Sequence, residues 1–180
     1  MKLMIASDLH GSVYWCKALL EAFAREKADK LLLLGDVLYH GPRNDLPRDY
    51  NPKEVAALLN AVSDKIIGVR GNCDSEVDQM MLDWPIMSDS CVLFLNGKTV
   101  FATHGHLFDA KNPPKLHKGD VLLHGHTHLQ VCEKAGDFVY MNPGSVSIPK
   151  GDSTNAYMIW EDGVFIWKSM DDSECMRFEA

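Results

Sequence analysis

The chain has 180 residues, 46% apolar and 24% charged, the balance of one globular domain with a core large enough to fold without disulfides. Its longest aliphatic run, Leu31 to Leu34, falls far short of the roughly 20 residues that cross a bilayer. The formal charge of -7 leaves no basic footprint of the kind duplex nucleic acid requires.

Lys2 to Ser7 is an apolar run that ends in polar residues, the pattern of a short buried strand. It stops at Asp8, too soon for the apolar core of a signal peptide. Val13 to Lys27 reads as a helix: Val13, Cys16, Leu19, Leu20, Phe23 and Ala24 recur at three and four, and Ser12 can cap the start. Lys30 to Leu34 is a second strand, closed by Gly35-Asp36. Asn51-Pro52-Lys53-Glu54 opens a second helix with a capping-box pattern and ends near Val62. Ile66 to Val69 is a third strand, closed by Arg70-Gly71-Asn72. Strands alternating with helices in this way predict a parallel sheet.

The second half is dominated by hairpins. Cys91 to Leu95 and Lys98 to Thr103 flank Asn96-Gly97, a strong two-residue turn signal. Val121 to Leu123 is a lone strand. Leu129 to Lys134 and Phe138 to Met141 pair across a Gly-Asp turn, as do Ala156 to Trp160 and Val164 to Trp167 across Glu161-Asp162-Gly163. These strands are expected to form a second sheet packed on the first. No linker separates the halves, so residues 1–180 read as a single domain. Asp171 to Ala180 is open between an edge strand and a frayed tail. Met80-Met81-Leu82 with Trp84-Pro85 reads as core or as a subunit contact, which leaves a homo-oligomer open.

The chemistry collects at strand ends. Asp8-Leu9-His10 follows the first strand, Gly35-Asp36 the second and Gly71-Asn72-Cys73-Asp74 the third. His104-Gly105-His106 and His124-Gly125-His126-Thr127-His128 follow two strands of the second half. Ligands bind along the strand-end edge of such sheets, so Asp8, His10, Asp36, Asn72, His104, His126 and His128 can converge. An extended backbone would point both members of Asp8-x-His10 and of His126-x-His128 to one side. Seven oxygen and nitrogen donors are too many for one tetrahedral ion and suit two cations, with Asp36 best placed to bridge. A set of imidazoles and oxygens without thiolate favours Mn, Fe, Zn, Co or Ni over Ca or Mg.

In this order, these blocks resemble the calcineurin-like metallophosphoesterases. Gly35 to Leu38, His40 to Asn44, Gly71 to Gln79, His104 to Phe108 and Asn142 to Lys150 are similar to the small bacterial, YfcE-type phosphodiesterases. The resemblance implies an α/β fold, a four-layer αββα sandwich of two packed mixed β-sheets flanked by helices. It implies Asp8, His10, Asp36 and His128 at a first metal, and Asp36, Asn72, His104 and His126 at a second. Manganese is the expected ion, with Zn, Fe, Co or Ni as alternatives. The implied reaction is attack of a metal-bound hydroxide on a small phosphodiester. A phosphomonoesterase or nuclease on the same core is the alternative, and a retromer-type scaffold of this fold is the non-enzyme alternative.

Cys73 stands where larger relatives place His. A thiol is a poorer proton donor than imidazole near neutral pH, so good leaving groups such as aryl esters are expected to be favoured. Asp36, Asn72, Cys73 and His106 are the catalytic candidates, His106 either orienting a ligand or lying beside the site. His40, Arg43 and Cys73 are the substrate-binding candidates, because a long loop leaves a ligand-bearing strand end there and Arg43 can clamp phosphate. Asn142 to Ser145 lines the site or simply makes a tight turn. His124 reads as filler and His117 as surface. The five cysteines form no CxxC pair, and a reducing cytoplasm is expected.

Overall fold

The computed structural model describes residues 1–179. In chain order the elements are β1 (Leu3–Ala6), α1 (Val13–Glu26), β2 (Lys30–Leu33), α2 (Pro52–Asn60), β3 (Ile66–Gly68) and α3 (Glu76–Gln79). They continue with β4 (Ser90–Leu95), β5 (Lys98–Thr103), β6 (Val121–Leu123), β7 (Gln130–Ala135), β8 (Phe138–Pro143), β9 (Ala156–Glu161), β10 (Val164–Ser169) and β11 (Glu174–Glu179). The helix ends are set by local chemistry. Ser12 accepts the Trp15 amide at the start of α1, and Lys27 closes that helix in the left-handed conformation, φ 52°. Asn51 accepts the Glu54 amide at 3.2 Å, with Pro52 in the first turn of α2.

Two mixed sheets pack face to face. The six-stranded sheet runs β11-β10-β9-β1-β2-β3, the five-stranded sheet β4-β5-β6-β8-β7. β1, β2 and β3 are parallel, in the register Leu3↔Lys30 and Leu31↔Ile66. The apolar runs are continuous because both faces of the central strands are covered. Met4, Leu31 and Leu33 face α1 and α2; Leu3, Ile5, Leu32 and Leu34 face the second sheet. On the outer face of the five-stranded sheet Leu122 and Tyr140 are also buried. There Phe108, from the segment linking β5 to β6, packs edge-on against Phe101 at 5.7 Å. That segment contains no helix, so irregular chain stands in the fourth layer.

One expectation is corrected. β9 and β10 do not extend the second sheet; β9 lies antiparallel to β1, Leu3↔Trp160, and carries β10 and β11 outward from it. Hairpin patterning fixes the pairing of β9 with β10 but carries no information about which sheet receives them. Of the C-terminal stretch, Glu174–Glu179 is edge strand β11, and Ala180 lies outside the described residues. The Met80 to Trp84 run divides: Leu82 and Trp84 are buried, while Met80 and Met81 are exposed.

Candidate metal centre

The ends of β1, β2, β3, β5 and the turn after β6 meet at one edge of the sandwich. Five residues there, Asp8, His10, Asp36, His126 and His128, adopt positive φ between 49° and 64°. Left-handed backbone costs a non-glycine residue on the order of 1 kcal/mol or more, and it concentrates at functional sites. The two x-separated pairs therefore converge through left-handed turns, not through the extended backbone that alternation suggested.

Three imidazoles are oriented alike. Nδ1 of His10 donates to the Tyr39 carbonyl at 2.8 Å, that of His104 to Leu34 at 2.6 Å and that of His128 to Ile148 at 2.7 Å. Each Nε2 is thereby turned inward and left free to hold an ion. His10 Nε2 and His128 Nε2 face each other at 3.3 Å. Asp8 Oδ1 lies 3.2 Å from His128 Nε2 and 3.6 Å from His10 Nε2, yet is buried without a hydrogen-bond partner. Facing lone pairs beside an orphaned carboxylate oxygen suit a cation.

A second set gathers on His104 Nε2. Asn72 Oδ1 is 3.1 Å from it, His126 Nδ1 3.2 Å and Asp36 Oδ2 3.4 Å. Asp36 Oδ2 is also 3.7 Å from His10 Nε2, so one carboxylate oxygen faces both sets. Asp8, His10 and His128, and likewise Asp8, Asp36 and His104, bring ligand atoms within 4.8 Å of one another. The donors present fit divalent cations.

Electrostatics show what the cluster does without an ion. Burial pushes the Asp8 carboxyl up, but His10 and His128 outweigh it and hold it well below the usual range. Burial acts likewise on Asp36, and His104 outweighs it. Burial lowers His104, but Asp36 and Asp8 carry it up to about 9. Burial, then the charge of His104, takes His126 down to about 4. The carboxylates thus hold a proton on His104, where an ion would bind.

Several residues hold the frame from behind. Asp74 accepts the backbone amides of Asp36, Val37 and Gly71. Ser7 Oγ and the His126 amide donate to Asp8 Oδ2 at 2.6 and 2.9 Å. Ser145 and Ser147 donate to the Asp8 carbonyl, and Asn142 Nδ2 donates to the Gly125 carbonyl at 2.7 Å. The Asn142 to Ser145 turn therefore braces the ligand loops from behind. Gly71 is required by close approach, because a Cβ there would collide with the Asp36 amide and carboxylate. Asp74, Asn142, Ser145 and Ser147 lie inside the matching blocks, and Ser7 lies outside them.

A cavity of about 950 Å³ opens over the cluster. Arg43, Asn44 and Cys73 line it, together with Tyr39, Thr127 and Lys150, which the sequence did not single out. His40 is not on that lining: its ring packs edge-on between Tyr39 and Tyr50 at 4.8 and 5.2 Å. It is the aromatic neighbours, not the loop's exit from the site, that orient the ring. His106 lies beside His104, ring centres 5.4 Å apart, and is also off the lining. His124 stacks on Tyr140 at 4.5 Å, and His117 is exposed.

Paired mixed sheets with this Asp, Asn and His cluster at their shared edge define a phosphoesterase-type metal site. Residues 1–162 match the calcineurin-like phosphoesterase superfamily domain, and the chain belongs to that family, whose members of this kind are metal-dependent phosphoesterases. It is 51% identical over 172 residues to Phosphodiesterase YfcE of Escherichia coli, which spans 96% of this chain and 94% of that protein. The solved structure of YfcE, a phosphoesterase from E. coli, matches with a TM-score of 0.96 at 48% identity over 99% of both chains. Vps29 of Entamoeba histolytica complexed with zinc matches with a TM-score of 0.65 at 16% identity over 99% of both chains, a likeness of fold alone.

Proposed function

We propose that this chain hydrolyses small phosphodiesters, favouring good leaving groups, with Asp36 shared between two divalent cations. The observation that carries this reading is the position of Asp36 Oδ2, facing His10 Nε2 on one side and His104 Nε2 on the other. Asp8, His10, Asp36 and His128 would hold one ion, and Asp36, Asn72, His104 and His126 the other. Bound cations, manganese first among the candidates, supply Lewis-acid charge for the phosphoryl oxygens and make water nucleophilic near neutral pH.

The remaining work falls to the chain's own groups. Arg43 and Lys150 line the cavity and form no salt bridge among the described residues, so their charge is available to an anionic substrate. Tyr39, Pro42 and Val77 give the same cavity an apolar surface for an organic ester arm. Cys73 sits at the cavity wall, where burial and then the Asp36 charge push its thiol far up. It stays neutral and gives up its proton poorly, which supports a preference for leaving groups that need no protonation. The diester reading is also supported by the similarity to E. coli phosphodiesterase YfcE. Five free cysteines support a reducing compartment, the cytoplasm; no described helix is long and apolar enough to cross a membrane.

The test is metal analysis of the purified chain followed by assays with several divalent ions. Bis-aryl phosphate, aryl monophosphate and a single-stranded oligonucleotide would be compared. The diester should turn over fastest, with manganese. A faster monoester or oligonucleotide would replace the reading with a phosphomonoesterase or nuclease. A folded chain with neither metal nor hydrolysis would leave a scaffold.

A further inference from the structure

Thr127 lies in the turn after β6, between His126 of one donor set and His128 of the other, and lines the cavity with both. Its two neighbours hold left-handed backbone, φ 64° and 63°, and each is tied down by bonds of its own. The His126 amide donates to Asp8 Oδ2 at 2.9 Å, and the His128 ring donates to the Ile148 carbonyl at 2.7 Å. The Lys150 amide donates to the His128 carbonyl at 3.1 Å. None of these bonds uses the proton of the Thr127 hydroxyl.

A threonine hydroxyl has one proton to give and two lone pairs with which to receive. Both lone pairs of Thr127 are called upon. Asn142 Nδ2 donates to Oγ1 at 3.0 Å, and the Leu129 amide donates to it at 3.4 Å. The buried Asn142 amide can stand only one way round. Its Oδ1 accepts the Gly144 amide at 2.9 Å, while Nδ2 faces the Gly125 carbonyl at 2.7 Å and the Tyr140 oxygen at 3.1 Å. Tyr140 is buried and stacked on His124, and its hydroxyl also neighbours Thr127. The phenol oxygen already faces a donor, and a buried O–H needs an acceptor, so the Tyr140 proton turns to Thr127 as well. Donors therefore converge on Oγ1 from the interior, and the Thr127 proton is left to the open side, which is the cavity.

We propose that the Thr127 hydroxyl donates to a non-bridging oxygen of the substrate's phosphoryl group, a contact that rests on the phosphodiesterase reading above. Such an oxygen is anionic and only accepts, so it suits a hydroxyl whose lone pairs are spent. Thr127 stands between ligands of both donor sets, where that oxygen must lie if two cations share the phosphoryl group. The contact differs in kind from Arg43 and Lys150. Their charge attracts the anion, whereas a neutral hydroxyl held by Asn142 fixes its direction. It differs from Cys73 as well. A non-bridging oxygen belongs to every phosphate ester and to inorganic phosphate, so the contact is blind to the leaving group.

The experiment compares wild type, Thr127→Val and Thr127→Ser. Valine keeps the shape and removes the hydroxyl; serine keeps the hydroxyl. Each protein is titrated calorimetrically with manganese and then, metal-loaded, with inorganic phosphate. Steady-state kinetics follow on a bis-aryl and an alkyl aryl phosphate. Thr127→Val should weaken phosphate binding and lower kcat/KM by at least about tenfold, to the same degree for both esters. Thr127→Ser should stay near wild type in both. Manganese affinity should be alike in all three proteins, whereas a residue that only braced the ligand turn would lower it when replaced. Unchanged phosphate binding and kinetics in Thr127→Val, a loss that serine does not avoid, or a loss matched by an equal fall in manganese affinity would overturn the proposal. A wild type that binds phosphate through Thr127 yet cleaves no diester would keep the contact and remove the diester reading. Should Thr127→Val fail to fold, Thr127→Ala, which removes atoms and adds none, decides by the same measurements.

Discussion

The Asp74 carboxylate accepts the backbone amide of Asp36 at 2.8 Å, and so fixes from behind the residue whose side chain faces both sets of metal donors. The same oxygen takes the Gly71 amide at 2.7 Å, and the other oxygen takes Val37 at 2.9 Å. Two loops that carry ligands, from β2 and β3, are thereby tied to one buried group. In an Asp74→Asn variant the amide nitrogen must face at least one of these donors. A buried N–H left unpaired costs about 1–3 kcal/mol, and loss of a partner behind the ligands lowers metal affinity about 10–100-fold. Calorimetric metal titration and thermal melting check both. Unchanged affinity would remove Asp74 from the metal centre's support.

The proton on His104 gives the metal-free protein a pH signature. Its folded pKa, about 9, lies above its ordinary 6.5. A raised pKa means that the charged form stabilises the fold. That contribution is complete below about pH 6.5 and disappears as the pH rises through about 9. Asp8 and Asp36 are shifted the other way, so their contribution is present above the ordinary carboxylate range and is lost in acid. Chelator-treated protein should therefore melt at a lower temperature at pH 9 than at pH 6.5. Metal-saturated protein should not show the alkaline fall, because an ion occupies the position of that proton and binds better as it leaves. Parallel melting curves with and without chelator across this range would count against a proton held in the metal site.

The sequence made the candidate ligand set legible because these residues sit at strand ends, most of them beside glycine, and strand ends can be located from apolar runs. Leu31 to Leu34 announced a strand buried on both faces, and it is one. What was illegible depends on long-range pairing. β9 is 120 residues or so from β2 in the chain, yet both flank β1, and nothing in a hairpin's own pattern names its third neighbour. The supporting groups Ser7, Asp74, Ser145 and Ser147 were illegible for a related reason. Asp74, Ser145 and Ser147 act on backbone amides or carbonyls, which leave no mark in the residue code, and Ser7 acts on the Asp8 carboxylate from a strand end with no motif of its own. His40 shows the converse. Its place in the loop suggested substrate, while its ring packs edge-on against Tyr39 and Tyr50 and does not line the cavity.

Cys73 should set which esters the chain cleaves. Its sulfur receives the Asn72 side-chain amide at 3.2 Å, and its thiol is pushed far above the range in which it could donate a proton readily. Imidazole at this position would titrate nearer neutrality, and a positioned general acid contributes about 10²–10⁴-fold when the leaving group needs a proton. Cys73→His is expected to raise kcat/KM for alkyl diesters relative to aryl diesters by at least about tenfold. An unchanged ratio, with metal content intact, would show that the residue does not govern leaving-group preference.

Arg43 and Lys150 should govern substrate binding, and His40 should not. The two cations line the cavity without a carboxylate partner, on segments joined to the metal loops. Arg43 follows β2 in the loop whose Tyr39 carbonyl takes His10 Nδ1, and Lys150 donates its backbone amide to the His128 carbonyl. Each charge-assisted contact to phosphate is worth about 1.5–3 kcal/mol, so Arg43→Ala or Lys150→Ala should lower kcat/KM about 10-fold or more. Metal affinity should be unchanged, because neither side chain is among the ligand donors. A rise in KM at constant kcat would mean that the contact serves ground-state binding; an equal fall in kcat and kcat/KM would place it in the transition state. His40→Ala should leave both constants near wild type and instead lower the melting temperature, since its ring packs on Tyr39 and Tyr50. A large kinetic loss in His40→Ala, with Arg43→Ala silent, would reverse the assignment of this loop.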